Sequence, residues 1–248
     1  MHLAAQQRET APGDTLRQYY LNLIRSFGPQ GWWPAKTRLE IIVGAILTQN
    51  TNWRNAALAL KNLRKARRLT WRGLRQAPLA EIESCVRPAG FYRQKARAIH
   101  GFAAWLDGSF GGSLDALFSL PPADCRRQLL QLKGVGPETA DAILLYAGRH
   151  PFFVADAYTR RVLERHQILP PAASYESAQQ FLHQHLPPDA PLFNEFHALL
   201  VEAAKRYCRS AAHCEACPLR NFLPQAVDSN LPAPGAVPGD RKMEGTAP

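Results

Sequence analysis

Apolar residues recur every three to four positions along most of the chain, and no segment alternates apolar and polar residues over the length of a strand. That period lays a hydrophobic stripe along a helix and offers no sheet to pack it against, so the expected fold is all-α. Helices are predicted over 14–27, 53–67, 80–85, 94–106, 123–132, 138–147, 157–165, 174–185 and 193–207, with Asp14 as the cap of the first. The segment RLEIIVGAILTQN (38–50) is apolar nearly all round, which reads as a buried central helix. Pro78, Pro88-Ala89-Gly90, Gly111-Gly112, Pro121-Pro122, Pro170-Pro171 and Pro187-Pro188 mark the joints. The stretch 224–248 is rich in Pro and Gly and poor in large apolar residues, and is expected to be disordered.

The chain has 248 residues, room for one large domain or two small ones. Thirty Lys and Arg against twenty Asp and Glu give a formal net charge of +10. That balance favours an anionic partner, above all nucleic acid. Much of the charge lies in KNLRKARRLTWRGLRQ (61–76), which by itself reads as a solvated helix face. No apolar run is long enough to span a bilayer, and the N-terminus MHLAAQQRETAPGDT lacks the basic-then-apolar layout of a signal peptide. The expectation is a cytoplasmic protein with no membrane partner, whose five cysteines are thiols or metal ligands rather than disulfides.

LKGVGPETADAILLYAG (132–148) reads as two amphipathic segments joined by Gly134-Val135-Gly136. Two glycines around one small apolar residue allow φ values that a side chain penalises, and let successive N–H groups point at one anion. Such a device grips a phosphate without reading a base.

Four segments, LKGVGPETA (132–140), FFVADAYTRRVLER (152–165), GAILTQNTNWRNA (44–56) and YCRSAAHCEACPLRNFLP (207–224), resemble in order and spacing the motifs of the endonuclease III superfamily of DNA glycosylases. WWP (32–34), LTQNT (47–51), CVRPAGFYRQKA (85–96) and FNEFHALLVE (193–202) are similar to the branch that includes a 3-methyladenine DNA glycosylase. The resemblance implies two helical lobes with double-stranded DNA gripped between them: a continuous lobe at 36–145 carrying the helix-hairpin-helix, and a discontinuous one at 14–35 plus 146–223. A monomer is expected.

It further implies that Lys133, Gly134, Val135, Gly136 and Glu138 form the DNA-binding hairpin, and that Asp156 is the catalytic carboxylate. Cleaving a glycosidic bond develops a cationic sugar, which a carboxylate stabilises while it activates water. Asp156 also precedes AYTRRVLER as a helix cap would, and the two roles are compatible. Bifunctional relatives carry a lysine in the hairpin's second helix, where this chain has Glu138; a carboxylate forms no Schiff base, so no lyase step is expected. As a first-turn acid, Glu138 suits a helix N-terminus. Trp32, Trp33 and Trp53 are candidate walls for a flipped base, a role that competes with ordinary core packing, and their faces favour a cationic alkylpurine. Gln49 is the residue expected to fill the gap in the duplex or bond the orphaned base. The expected activity is release of an alkylated purine such as 3-methyladenine in base-excision repair. The competing readings are an oxidised-pyrimidine glycosylase, a non-catalytic DNA-binding protein, and an iron–sulfur electron carrier.

Cys208, Cys214 and Cys217 match three ligands of the family's 4Fe–4S loop, and Leu223 stands where the fourth cysteine belongs. His213 adjoins Cys214 as an alternative ligand, although adjacent residues rarely converge on one metal. Three outcomes stay open at this point: a cluster with an outside ligand, an incomplete cluster, or a loop held by packing.

Overall fold

The computed structural model describes residues 11–224, and among these every regular element is helical apart from one isolated bridge between Cys208 and Ala212. The expectation of an all-α fold holds. The described residues divide into two compact units, 11–30 with 155–189 and 195–224, and 31–154 with 190–194. The sequence placed the changeovers after 35 and after 145 instead. The tail expected to be disordered lies, Pro224 excepted, outside the described residues.

The larger unit holds α2 (Arg38–Leu47), α3 (Trp53–Lys65), α4 (Trp71–Gln76), α5 (Leu79–Val86), α6 (Tyr92–Phe110), α7 (Leu114–Phe118), α8 (Pro122–Leu130) and α9 (Pro137–Ala142). Helix α2 starts where the Thr37 side chain accepts the Glu40 amide and Glu40 Oε2 accepts the Lys36 amide. Its residues 42–47 are all buried, as an all-round apolar pattern demands. It ends at Leu47, the last apolar residue of the segment; Thr48 Oγ1 donates to the Gly44 and Ala45 carbonyls, and Asn50 turns the chain at φ 51°.

Helices α4 and α7 escaped the periodicity because six and five residues are too short to display a stripe. Each nevertheless begins at a capping hydroxyl, Thr70 on the Gly73 amide and Ser113 on the Ala116 amide. Helix α9 opens into a wider π turn, Ile143–Ala147, all of it buried; the 3.6-residue pattern gave no sign of the change in pitch.

The smaller unit contains α1 (Pro12–Phe27), α10 (Ala157–Arg165), α11 (Tyr175–His185) and the larger part of α12 (Ala190–Arg206). Leu16, Tyr19 and Leu23 form the buried stripe of α1 at the spacing that predicted it. No helix among the described residues is long and apolar enough to cross a membrane.

Candidate functional site

In the smaller unit Asp156 is the N-cap of α10: its Oδ1 accepts the Thr159 amide at 2.8 Å. Its Oδ2 lies 3.4 Å from Nε2 of His197, a residue of α12 that is 4 % exposed. Burial by itself pushes the Asp156 carboxyl up, but the facing imidazole and the Thr159 amide outweigh it and hold the group below the usual carboxylate range. The cap fixes the carboxylate, and its neighbours keep it ionised, which is the state a cation-stabilising group requires. His197 was missed from sequence because a lone histidine on an apolar helix reads as core; only the fold puts it opposite Asp156.

The other expected residues belong to the larger unit, where the hairpin runs from the end of α8 to the start of α9. Gly134 has φ 89°, and a Cβ there would stand 2.9 Å from the Ala98 side chain of α6. Glycine is therefore required at 134 on two counts, backbone conformation and room. Gly136 corrects the expectation: at φ −89° and ψ 179° it is ordinary extended backbone, with open space where a Cβ would be. Its missing side chain clears an approach rather than permitting a conformation. Val135 is buried beneath the turn, Lys133 and Glu138 are exposed, and the amides of Gly134 and Gly136 donate to no acceptor among the described residues. Two backbone donors thus lie on an exposed turn beside a lysine, the kind of groups an anion requires.

Gln49 sits in the turn after α2 and donates from Nε2 to the Gly134 carbonyl and to Thr139 Oγ1, both at 2.9 Å. The three tryptophans gather in one cluster. The Trp33 ring lies 5.5 Å from Trp53, 6.1 Å from Trp32 and 5.2 Å from Tyr146, in edge-on or tilted contacts, and every tryptophan of the set is half-buried. Gly44 makes the room, since a Cβ there would meet the Trp33 indole at 3.2 Å. Trp33 Nε1 is buried without a hydrogen-bond partner among the described residues. Tyr146 was not expected as part of this wall, because it lies in the π turn.

A second residue outside the sequence expectations is Phe91. It is 63 % exposed, follows Gly90 and adopts φ 44° as the N-cap of α6. A large apolar side chain held outward on an unfavourable backbone, with Arg87 and Arg93 stacked on the adjoining Tyr92, is a functional signal rather than a packing one. The signal in the sequence was a phenylalanine placed directly after a Pro-Ala-Gly turn.

The family model described as HhH-GPD superfamily base excision DNA repair protein matches residues 43–188, which contain the hairpin, the Gln49 turn and Asp156. The chain belongs to this superfamily. Among its relatives is a Methanocaldococcus jannaschii protein, provisionally named a DNA repair glycosylase, 37% identical over 84% of this chain and 96% of that one. Thermotoga maritima endonuclease III is 28% identical over 73% of this chain and 80% of that one. Of solved structures, an H. pylori 3-methyladenine DNA glycosylase bound to 1,N6-ethenoadenine aligns at TM-score 0.68 and 26% identity, covering 79% of this chain and 98% of that one. An endonuclease III–DNA complex aligns at TM-score 0.74 and 22% identity, over 86% of this chain and 96% of that one, a likeness of fold. The resemblance to the endonuclease III superfamily holds, and this HhH-GPD protein is a DNA glycosylase.

Endonuclease III relatives commonly carry a 4Fe–4S cluster, but the loop of this HhH-GPD protein does not present that donor set. Leu223 stands at the fourth position, His213 is exposed, and among the described residues no three Cys, His, Asp or Glu side chains form a metal-holding group. Cys208 Sγ instead accepts from Arg165 Nη1 at 3.2 Å, while Arg165 Nη2 donates to the Ser210 carbonyl. Burial, and then the neighbouring Cys208, pushes the Cys214 thiol up; burial also pushes up the Cys217 thiol, against a hydrogen bond from the Leu219 backbone. The residues after Cys217 are packed: Leu219 is fully buried, and the Phe222 ring lies 5.0 Å from Tyr19, whose hydroxyl is 2.6 Å from His166 Nδ1. The His166 ring also hydrogen-bonds the Phe222 backbone, and burial lowers its pKa to about 4, so it is a neutral bridge at pH 7.

Proposed function

We propose that this protein is a monofunctional DNA N-glycosylase that releases an alkylated purine, of the 3-methyladenine type, from double-stranded DNA. The observation that carries the reading is Asp156, held ionised by His197 and the Thr159 amide while Glu138 occupies the place where bifunctional relatives need an amine. As the N-glycosidic bond breaks, positive charge develops on the sugar, and the Asp156 carboxylate is positioned to stabilise it and to take a proton from the attacking water. Glu138 supplies no nucleophile for an imine, so the product is an abasic site with an intact backbone.

The rest of the assignment follows from chemistry at each residue. Lys133 and the Gly134 and Gly136 amides hold a phosphate. Gln49 and Phe91 are the groups that enter the duplex, since an apolar wedge between base steps offsets the cost of extruding a nucleotide. The cluster of Trp32, Trp33 and Trp53 supplies electron-rich faces suited to a cationic base. The solved H. pylori relative, a 3-methyladenine glycosylase, supports that choice of substrate. For the cysteine loop, Cys208, Cys214 and Cys217 act as packed thiols in this reading. Protein purified anaerobically should be colourless and free of stoichiometric iron or zinc, and a full complement of either metal would overturn that part.

Duplexes carrying single defined lesions, incubated with the protein and resolved with and without alkali, test the whole. Base release from the alkylpurine duplex with strand cleavage only after alkali is expected, with no adduct trapped by borohydride. Release confined to an oxidised pyrimidine would replace the substrate. Efficient trapping would show that an amine reaches the sugar, and binding without release of any base would make this a non-catalytic binder.

A further inference from the structure

Lys95 is 4 % exposed, yet among the described residues it has no carboxylate partner. Its Nζ donates to two main-chain carbonyls, Leu47 at 2.9 Å and Ala89 at 2.7 Å. A buried ammonium without a counter-ion is costly, so a chain that keeps one derives something from its geometry. Both acceptors are the last residues of their elements, α2 and the 3₁₀ turn Arg87–Ala89. Terminal carbonyls lack partners inside the helix and carry partial negative charge, which makes them suitable acceptors for one shared cation.

Each gripped carbonyl lies two residues before a side chain assigned to the duplex. Gln49 follows Leu47, and Phe91 follows Ala89. One turn beyond Lys95 on the same helix, Ala98 lies under Gly134 of the hairpin, whose carbonyl accepts from Gln49. Helix α6 thus touches all three DNA-facing pieces within four residues. We infer that Lys95 is a positioning residue for base extrusion: its ammonium fixes the spacing between the turn bearing Gln49 and the turn bearing Phe91, so that the two side chains enter the duplex as a pair. The inference rests on the reading of these residues as DNA-inserting groups of a glycosylase.

Lys95→Met keeps the length and apolar stem and removes the charge and both hydrogen bonds. A duplex with 2-aminopurine opposite a stable abasic analogue reports unstacking by a rise in emission, with no base left to release. The variant should keep its affinity for undamaged duplex, which the hairpin supplies, and lose the emission rise that wild type gives. Single-turnover base release should fall about a hundredfold, the scale on which a misplacement of about 1 Å acts. A wild-type-sized rise in folded Lys95→Met overturns the inference, and so does a wild type that gives none. Should Lys95→Met fail to fold, Lys95→Arg decides: it keeps the charge but its wider, planar head changes the separation of the two carbonyls. A diminished rise at unchanged affinity supports the inference and an undiminished one overturns it. Failure of the glycosylase reading would show elsewhere, as a wild type that releases no base from any lesion.

Discussion

Asp156 and the hairpin are built by different physical means, and in the proposed function they act by different means. Asp156 is a half-buried charge: its carboxylate is tuned by the Thr159 amide at 2.8 Å, a cap within its own sequence neighbourhood, and by the His197 imidazole at 3.4 Å, which is 41 residues away in the chain. The hairpin is an exposed conformation: it offers one left-handed glycine and two amides that donate to no acceptor among the described residues, with almost no side-chain chemistry. Chemistry that depends on a charge state should respond to the groups around it and to pH. A grip that depends on backbone shape should respond to Cβ atoms and be indifferent to the lesion.

The largest expected effect separates the two outright. Asp156→Asn keeps the capping oxygen and removes the charge, so base release should fall by about a thousandfold while duplex affinity stays within a few-fold. Comparable losses in binding and release would erase the distinction. Next is the hairpin. Gly134→Val places a Cβ at φ 89° against Ala98, and affinity for every duplex, damaged or not, should weaken by about tenfold or more. Gly136→Ala, at φ −89° with open space around it, should weaken binding much less. Equal damage from the two substitutions would mean that crowding of the phosphate, not backbone conformation, governs the turn.

His197→Gln sharpens the other side of the comparison. Without the imidazole, burial regains weight over Asp156, its pKa rises, and the acid limb of the pH–rate profile should move upward with a loss of about tenfold in rate near neutral pH. An unmoved acid limb would detach His197 from the carboxylate. The smallest effects are in stability. His166 is held at about 4 in the fold against 6.5 when free, so the unfolded chain binds the proton first. Its contribution is complete above pH 6.5 and is lost as pH falls from 6.5 toward 4; comparing urea midpoints of wild type and His166→Gln across that window checks it. Lys95 runs in the same direction at higher pH: burial lowers it to about 8 from 10.5, so wild type should gain stability relative to Lys95→Met as pH rises from 8 to 10.5.

What the sequence determined by itself was local. Period-3.6 apolar spacing gave the helical class and most helices, because a stripe longer than two turns is legible without neighbours. The GVG turn and the Asp before AYTRRVLER were legible because a turn and a cap are encoded within a few consecutive residues. Glu138 in place of a lysine and Leu223 in place of a cysteine were legible as departures from a known spacing. What only the tertiary structure decided were contacts between residues far apart in the chain. It brought His197 to Asp156, joined Trp53 with Tyr146 around Trp33, and linked Lys95 to Leu47 and Ala89. It also distinguished the two glycines: Gly134 lies against Ala98 of α6 at φ 89°, whereas Gly136 faces open space at φ −89°. A sequence specifies which groups are available, but a charge acquires its pKa, and a side chain its partner, from groups that only the folded chain brings within about 4 Å.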